Sequence, residues 1–314
     1  MTAAAALRVL LIDDEAPMLR AQAALLREHA VFATEDPAGA QALAQEHDVD
    51  VILCDYRMAD TNGIELLRTL RLSHPRALRI LTASRPDART VFDAINEGEV
   101  FRLVTKPWDN TGLRSAVSEA GRTARDAPQI TFAALRGPEY DHARTQVAIL
   151  VIGGETEAQQ RLREILQPYY KLHFASSMER AVQIMEQHET GVIISDTQTG
   201  RSDLVAPIKA LRQTHPQIGV AMLAGRIDAD MAIGLVNEGQ VLRVLPRPLQ
   251  MGTVRLAVDT ALGNYWRYKR QPQAARRVLP ALPAPNSPHA PTRLPPALLN
   301  RIHSLPGRLL GAGD

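Results

Sequence analysis

The amino-terminal part of the chain carries five side chains whose types suit the binding of a metal ion and an anion. Asp13 and Asp14 follow one apolar run, Asp55 follows another, and Thr82 and Lys106 lie at the ends of two more. Three crowded carboxylates repel one another, which raises their pKa values unless a cation is close. Mg²⁺ relieves this repulsion, because it binds one or two carboxylates and keeps several waters. The set therefore predicts an acidic magnesium pocket.

The elements that must position these side chains follow from the alternation of apolar and amphipathic segments. In the amino-terminal part of the chain, the predicted strands span Arg8 to Ile12, Val31 to Thr34, Val51 to Cys54, Leu78 to Ala83 and Phe101 to Val104. Its predicted helices span Ala16 to Ala30, Pro37 to His47, Gly63 to Ser73, Asp87 to Glu97 and Thr111 to Thr123. This order predicts an α/β fold, a doubly wound, flavodoxin-like (βα)5 sheet. In such sheets, function lies at the carboxyl ends of the strands, where the five side chains would meet.

The same plan occurs twice. "VILCDYRMADTNG" around Asp55 corresponds to "GVIISDTQTGRSD" around Asp196, 141 positions further on, and "INEGEVFRLVTKPWD" corresponds to "VNEGQVLRVLPRPLQ" at the same offset. A repeat this long indicates a duplicated domain rather than a solenoid unit. We therefore predict one domain over residues 5–125, a linker over 126–145, a second domain over 146–266 and a tail over 267–314.

The second copy keeps the plan and loses most of the acidic chemistry. Its predicted elements include Ala148 to Ile152, Glu157 to Leu166, Lys171 to Ala175, Met178 to His188, Val192 to Ser195 and Gly252 to Trp266. Gly153 and Gly154 replace the acidic pair, Arg247 replaces the lysine, and Leu223 or Ala224 replaces the threonine. Only Asp196 persists. Two interpretations stay open: Arg247 forms a bidentate pair with Asp196, or Asp196 is simply solvated.

Residues 5–125 resemble the receiver domain of two-component response regulators. The resemblance rests on "IDDE", "DYRMADTNG", "LTAS" and "TKPW", which end four strands in the family's order. The second copy resembles a degenerate pseudo-receiver, for which no phosphorylation is expected. Without the resemblance, Asp13 and Asp14 would be read as helix caps and Lys106 as a solvated residue.

The resemblance implies a role for each residue of the pocket. Asp55 would be the phosphoacceptor, Thr82 would hydrogen-bond the phosphoryl group and Lys106 would pair with it. Mg²⁺ would be bound by Asp14, Asp55, the Arg57 backbone carbonyl and, through water, Asp13. The family also implies a cis bond at Pro107. Members of the family often have an aromatic residue, three positions before the lysine, that rotates on activation. Leu103 stands at that position here. Phe101, two residues earlier and interpreted as lying on the same strand face, is considered as its substitute.

Composition excludes several classes of protein. The net charge of +2 provides no field that would drive binding to nucleic acid or a membrane. No apolar run reaches the ~18 residues that cross a bilayer, and no secretion signal is read at the start. The single cysteine, Cys54, excludes an intrachain disulfide and is consistent with a reducing cytoplasm. Cys54 is interpreted as a buried core residue rather than a reactive thiol.

The two segments outside the repeats differ in character. In the linker, Ile130, Phe132 and Leu135 favour packing on a domain surface over a defined helical connector, because Pro128 and Gly137-Pro138 interrupt a helix. In the tail, nine of the last 44 residues are proline, which favours a mostly disordered chain. Within it, "LPPALLNRIHSL" places Leu294, Leu298, Ile302 and Leu305 on one helical stripe. This stripe is either a partner-docking helix or part of the disordered tail.

These expectations favour a cytoplasmic phosphorelay protein over an enzyme. A sensor histidine kinase or phosphotransfer protein would phosphorylate Asp55. An unidentified downstream protein would then read the change, and the second domain would serve dimerisation or docking. The alternative is a transcription-regulatory protein that acts through a partner or through a weakly DNA-binding tail. The proline-rich residues beyond Arg270 do not encode a helix-turn-helix module.

Overall fold

The computed structural model describes residues 6–59, 61–126, 144–153, 156–196, 205–223, 229–237, 241–278 and 294–307. It divides into two compact units, Met1–Ile130 and Thr131–Asp314. The linker prediction falls almost entirely on residues 127–143, which lie outside the described residues.

The first unit contains a five-stranded parallel sheet. Its strands are β1 (Arg8–Ile12), β2 (Ala30–Thr34), β3 (Val51–Asp55), β4 (Leu78–Ala83) and β5 (Arg102–Thr105). They are ordered β2-β1-β3-β4-β5. All five residues of β3 are buried, as expected of a strand covered on both faces. The predicted doubly wound fold is confirmed.

Five helices cover the faces of this sheet. They are α1 (Ala16–Leu25), α2 (Pro37–His47), α3 (Gly63–Ser73), α4 (Ala88–Asp93), which continues as a π-helix over Ala94–Gly98, and α5 (Asn110–Asp126). Helix α1 ends five residues earlier than predicted because Ala30 pairs with Arg8 in the sheet. The π-helix ends where buried Arg79 donates to the Gly98 and Glu99 carbonyls at 3.0 and 3.1 Å.

Phe101 does not share a face with Leu103, and that expectation is wrong. Phe101 precedes β5, so the alternation of the strand does not extend to it. It belongs to the apolar cluster that includes Leu113 and Val117 of α5, whereas Leu103 is not a member of this cluster. Phe101 therefore cannot simply replace a side chain at the position of Leu103.

The second unit repeats the architecture. Its strands are β6 (Ala148–Ile152), β7 (Lys171–Ala175), β8 (Thr190–Asp196), β9 (Gly219–Leu223) and β10 (Arg243–Leu245), ordered β7-β6-β8-β9-β10. Its helices are α6 (Thr156–Leu166), α7 (Met178–Gln187), α8 (Val205–Thr214), α9 (Ala229–Asn237) and α10 (Met251–Arg270). Each strand has the same neighbours as its counterpart in the first sheet, so the two sheets fit a tandem of (βα)5 domains.

The described residues of the tail, 267–278 and 294–307, are largely helical, so the expectation of disorder is wrong for them. Helix α10 continues to Arg270 and buries Tyr268, so the predicted boundary at 266 is too early. A 3₁₀ helix, Pro272–Val278, buries Ala274 and Ala275. Helix α11 (Pro296–Ser304) buries Leu298 and Ile302. The apolar side chains of α11 pack on a surface of the second unit, and the periodicity of the tail sequence does not identify that surface. Residues 279–293 and 308–314 lie outside the described residues.

Among the described helices, none combines the length and the apolar character needed to cross a membrane.

Candidate functional site

The register of the first sheet brings the predicted pocket residues to one edge. Ile12 pairs with Cys54, so Asp13 follows β1 beside Asp55, and Asp55 pairs with Thr82 on β4. Carboxylate oxygens of Asp13, Asp14 and Asp55 lie within 4.8 Å of one another. Among the residues that the structure describes, this is the one cluster of at least three potential metal ligands of the His, Cys, Asp or Glu type.

Asp55 is held by three donors. Thr82 Oγ1 donates to Oδ1 at 3.1 Å, and Lys106 Nζ lies 2.6 Å from the same oxygen. The backbone N–H of Arg57 donates to Oδ2 at 3.1 Å. Asp55 is buried with 6% of its surface exposed. These contacts fix the carboxylate while leaving it at the carboxyl end of β3.

Lys106 links Asp55 to Asp13, because its Nζ also lies 2.9 Å from Asp13 Oδ2. Burial would lower the pKa of Lys106, but its hydrogen bonds and ion pairs with the two carboxylates outweigh burial and raise it. Burial raises the pKa of Asp13 despite the hydrogen bond from Lys106. The lysine side chain is only 11% exposed, so the interpretation of a solvated surface residue is wrong.

Asp14 points to a different donor. The Ala59 N–H donates to Asp14 Oδ2 at 2.7 Å, which ties the loop after β3 to the end of β1. The capping interpretation is not supported, because Glu15 is the residue at the amino terminus of α1 and no side chain caps it. Asp14 is half-buried, so part of its carboxylate faces solvent.

Gly63 is a residue of this site that the sequence reasoning missed. A Cβ built at Gly63 would collide with the Asp55 backbone carbonyl. Gly63 N also donates to the Tyr56 carbonyl at 2.9 Å. The signal was present in "TNG", an Asn-Gly pair directly before a helical pattern, where close approach of two backbones requires glycine.

Cys54 lies beside the site and not in it. Its side chain is fully buried, and its Sγ is 3.3 Å from the Asp55 carbonyl oxygen. Burial raises the pKa of the thiol well above its ordinary range, with the charge of Asp55 acting in the same direction. These observations agree with the interpretation of a core residue.

The donor set fits Mg²⁺. Three carboxylates and one ammonium leave an excess of negative charge, and oxygen ligands are what this hard ion prefers. Arg57 follows Asp55 by two residues in the loop after β3, and its carbonyl remains a predicted ligand. The Lys106–Pro107 peptide bond is cis, as the resemblance implied.

The second unit has a different arrangement at the corresponding edge. The Gly153 N–H donates to the Ala175 carbonyl, as the Asp13 N–H does to that of Thr34, so Gly153 occupies the place of Asp13. Leu223 pairs with Asp196 in the register of Thr82 with Asp55. Gly154 and Ala224 lie outside the described residues.

Asp196 is paired rather than solvated. Arg247 Nη2 donates to Asp196 Oδ2 at 2.6 Å, and Asp196 is 1% exposed. The Arg247–Pro248 bond is cis, like its counterpart. Of the two interpretations left open by the sequence, the geometry supports an ion pair between Arg247 and Asp196, and its bidentate form stays a prediction. The guanidinium neutralises the charge of this buried carboxylate, so the pair has little net negative charge to attract a divalent ion.

Comparison with known proteins adds a family for the first unit. Residues 9–118 match the response regulator receiver domain family. The chain is 34% identical over 116 residues to the hydrogenase transcriptional regulatory protein HoxA of Cupriavidus necator, covering 36% of this chain and 23% of that protein. It is 30% identical over 114 residues to the alginate biosynthesis transcriptional regulatory protein AlgB of Pseudomonas putida, covering 36% and 25%. The chain thus spans about a quarter of the length of the curated relatives it matches.

Part of the chain is also similar to a solved structure. The signal receiver domain of an HD domain-containing protein from Pseudomonas fluorescens Pf-5 is 28% identical, covers 40% of this chain and 93% of its own, and has a TM-score of 0.38. The family match identifies residues 9–118 as a response regulator receiver domain of a two-component system. Receiver domains bind Mg²⁺ at an acidic pocket of the kind that Asp13, Asp14 and Asp55 form here.

Proposed function

We propose that the receiver domain of residues 9–118 accepts a phosphoryl group on Asp55 and signals through protein–protein contacts. The donor would be the phosphohistidine of a sensor histidine kinase or a phosphotransfer protein. One observation carries the proposal: Lys106 bridges Asp13 and Asp55 while Thr82 donates to the same Asp55 oxygen. This arrangement provides a fixed carboxylate nucleophile with two donors beside the atom that reacts.

The transfer balances as a displacement at phosphorus. An Asp55 carboxylate oxygen forms a bond to phosphorus, and the phosphorus–nitrogen bond breaks with its electron pair returning to the imidazole of the donor. The product is an acyl phosphate on Asp55 and a neutral histidine after proton uptake. Positioning and charge neutralisation provide most of the catalysis in such transfers.

Lys106 and Thr82 would change their acceptor when the phosphoryl group is transferred. Before transfer, both contact Asp55 Oδ1. After transfer, the new negative charge lies on the phosphoryl oxygens, and the ammonium and hydroxyl donate to them. Thr82 is fully buried at the end of β4, so its reorientation would change the packing of this edge and be felt by a partner.

Mg²⁺ would be held by Asp14, Asp55, the Arg57 carbonyl and, through water, Asp13, and would neutralise charge on the transferring phosphoryl oxygens. Asp13 and Asp14 then have distinct tasks. Asp13 also contacts Lys106, whereas Asp14 is half-buried and would offer its carboxylate to the ion.

The second unit is proposed to be a pseudo-receiver that takes no phosphoryl group and serves docking or dimerisation. Its buried Asp196 is paired with Arg247, and glycine stands at the position of Asp13. The absence of a hydroxyl at Leu223 removes the donor that Thr82 provides in the first unit.

The proposal is tested by labelling with acetyl phosphate and Mg²⁺, followed by phosphate-affinity electrophoresis. Asp55→Asn should abolish the shifted band, and the matched Asp196→Asn should leave it unchanged. Equal labelling of the two variants would contradict the division between the units. A partner pull-down with beryllofluoride-treated protein would then detect the contact that depends on phosphorylation.

A second candidate is regulation of transcription through a partner or a weakly DNA-binding tail. It is favoured by the relatives, which are named transcriptional regulatory proteins. An electrophoretic mobility shift with duplex DNA at moderate salt, with and without acetyl phosphate, tests the DNA-binding tail, and the partner pull-down tests the route through a partner. Tail-mediated binding would respond to phosphorylation and weaken steeply with salt; the first proposal expects no shift.

A further inference from the structure

The carboxyl-terminal segment 294–307 lies on a defined face of the second unit. Helix α11 contacts α8 and α7, and we call the surface formed by these two helices the α7–α8 face. Three aliphatic side chains of the segment are buried, Leu298, Ile302 and Leu305. Isolated helices shorter than about 12–15 residues are marginal in water. The nine residues of α11 therefore depend on docking for their helical structure.

Polar contacts give this docking a fixed register. Arg301 Nε and Nη2 donate to the two carboxylate oxygens of Glu186 on α7 at 2.9 and 2.8 Å. Gln217 Nε2 donates to the Gly307 carbonyl at 2.8 Å. His215 Nε2 hydrogen-bonds the Leu305 carbonyl oxygen at 3.2 Å. A bidentate guanidinium–carboxylate pair specifies orientation as well as attraction.

The first unit has the same helices with no such cover among its described residues. By the repeat, Gln45 stands where Glu186 does, Arg76 where Gln217 does and His74 where His215 does. His74 and Arg76 are half-buried and Gln45 is exposed, whereas His215 and Gln217 are 1% and 3% exposed. Within residues 6–59 and 61–126, the (βα)5 fold of the first unit therefore has no helix on this face. The cover in the second unit is thus an addition to the (βα)5 plan that the first unit shows.

The sequence that joins the segment to the rest of the chain is rich in proline. The stretch 279–293 contains five prolines in 15 residues, at positions 280, 283, 285, 288 and 291. A proline-rich chain spans about 3.1 Å per residue when extended. The sequence of this connection is thus compatible with a segment that leaves the face in the proposal below.

We propose that the α7–α8 face is a helix-binding site for a partner protein and that segment 294–307 is its intramolecular ligand. The partner would present an amphipathic helix with aliphatic residues at positions i, i+4 and i+7 and an arginine at i+3, which pairs with Glu186. The proposal rests on the second unit alone and holds whether or not Asp55 accepts a phosphoryl group.

A partner is favoured over a second copy of the chain as the occupant. The segment of a second copy offers the same weak helix and competes with one that is already joined to the same chain, which gives the joined segment an advantage in effective concentration. A partner whose helix is longer and folded before binding avoids the ordering cost that the segment meets. Only such a ligand displaces the tethered segment efficiently.

The test uses a fluorescein-labelled peptide of residues 294–307 and the full chain. Ile302→Asp detaches the chain's own segment, and Asn300→Asp, on the exposed side of α11, is the matched control. We expect the peptide to bind Ile302→Asp about tenfold or more tightly than wild type or the control, measured by anisotropy, because the tethered segment no longer competes. On the Ile302→Asp background, Glu186→Arg should weaken peptide binding, and an Arg301→Glu peptide should restore it.

Three results would overturn the proposal. One is equal or absent peptide binding by Ile302→Asp. A second is a loss of helical circular dichroism in Ile302→Asp well beyond the nine residues of α11, because the segment would then be part of the fold. A third is a concentration-dependent dimer of the wild type that Ile302→Asp abolishes, which would assign the face to a second copy.

Discussion

At the scale of single residues, Lys106 and a divalent ion compete for the same negative charge. Its Nζ lies 2.6 Å from Asp55 and 2.9 Å from Asp13. The ammonium therefore stabilises the metal-free pocket, and the same contact opposes the approach of Mg²⁺. Repulsion between like charges in a partly buried site is weakly screened by solvent.

We expect Lys106→Met to tighten Mg²⁺ binding severalfold, because it removes a positive charge from the carboxylate cluster while keeping much of the side-chain volume. Isothermal titration with MgCl₂ measures the effect. The same variant should lose any partner contact that acetyl phosphate induces, since no ammonium remains to pair with the phosphoryl group. Lys269→Met, on the surface of the second unit, is the control; weaker Mg²⁺ binding by Lys106→Met would contradict this account.

Asp50 plays a structural part at the amino end of β3, the end opposite to Asp55. It accepts hydrogen bonds from Arg125 Nη2 at 2.7 Å and from the Arg8 N–H at 2.9 Å. Burial alone would raise the pKa of Asp50, but the hydrogen bond from Arg125 and the other interactions lower it below 3.8. A lowered pKa means that the ionised form stabilises the fold above the ordinary value, and that this contribution is lost as the pH falls through the folded-state pKa.

We expect Asp50→Asn to lower the free energy of unfolding of the first unit by about 1.5–3 kcal/mol at pH 7, the range for hydrogen bonds to a charged group. The difference from wild type should shrink below pH 3.8, where the aspartate becomes protonated in the unfolded chain. Urea denaturation at several pH values checks this. A difference that grows as the pH falls would contradict the assigned sign.

At the scale of elements, the approach of α3 to β3 sets the position of the proposed phosphoacceptor. Gly63 begins α3, and the space where its Cβ would lie is taken by the Asp55 carbonyl. Asn62 caps the helix by accepting from the Ile64 N–H at 2.9 Å. The cap and the glycine together bring the helix close behind the carboxylate.

We expect Gly63→Ala to destabilise the first unit by about 1–3 kcal/mol, because overpacking forces the backbones apart, and to slow the labelling of Asp55 by acetyl phosphate. Denaturation and labelling kinetics measure the two effects. Gly234→Ala is the control, because nothing lies within 4 Å of the added methyl in α9. Wild-type labelling and stability in Gly63→Ala would show that the close approach is not needed.

Helices and strands with strong local signals were predictable from sequence. Helix α2 begins at a proline after Asp36, which caps it, and ends at His47 as predicted. Helix α3 and strand β4 also have the predicted bounds. In each case the start and stop signals are local, so tertiary contacts did not shift the ends.

Features that depend on distant contacts were not predictable. The π-helix over Ala94–Gly98 ends against the guanidinium of Arg79, which belongs to β4. Phe101 packs toward α5 through a bend before β5. The docking of α11 depends on Glu186, 115 residues away. A periodic pattern indicates an apolar face but not the surface that will cover it.

At the scale of the whole molecule, the chain contains two sheets of the same topology with different charge at the carboxyl edge. In the first unit, Lys106 forms ion pairs with two of the three clustered carboxylates. In the second, one arginine pairs with one buried aspartate. The duplication thus keeps the backbone plan, while the second unit has a single buried ion pair where the first has a carboxylate cluster.

We expect Arg247→Met to destabilise the second unit by roughly 1–3 kcal/mol, because Asp196 is left buried next to an apolar side chain. The partial exposure of Arg247 limits the loss. Differential scanning calorimetry should show the shift in one transition, and labelling of Asp55 should be unaffected. The double variant Arg247→Met/Asp196→Leu should recover most of the stability, and failure to do so would argue against the ion pair as the cause.

The buried thiol behind the first pocket has a practical consequence. Cys54 is the single cysteine of the chain, and its side chain has no exposed surface. A thiol-specific reagent can reach it only when β3 separates from its neighbours. The rate of alkylation therefore reports how often the central sheet opens. Comparing that rate with and without acetyl phosphate would show how far modification of the adjacent aspartate tightens the strand on which both residues lie.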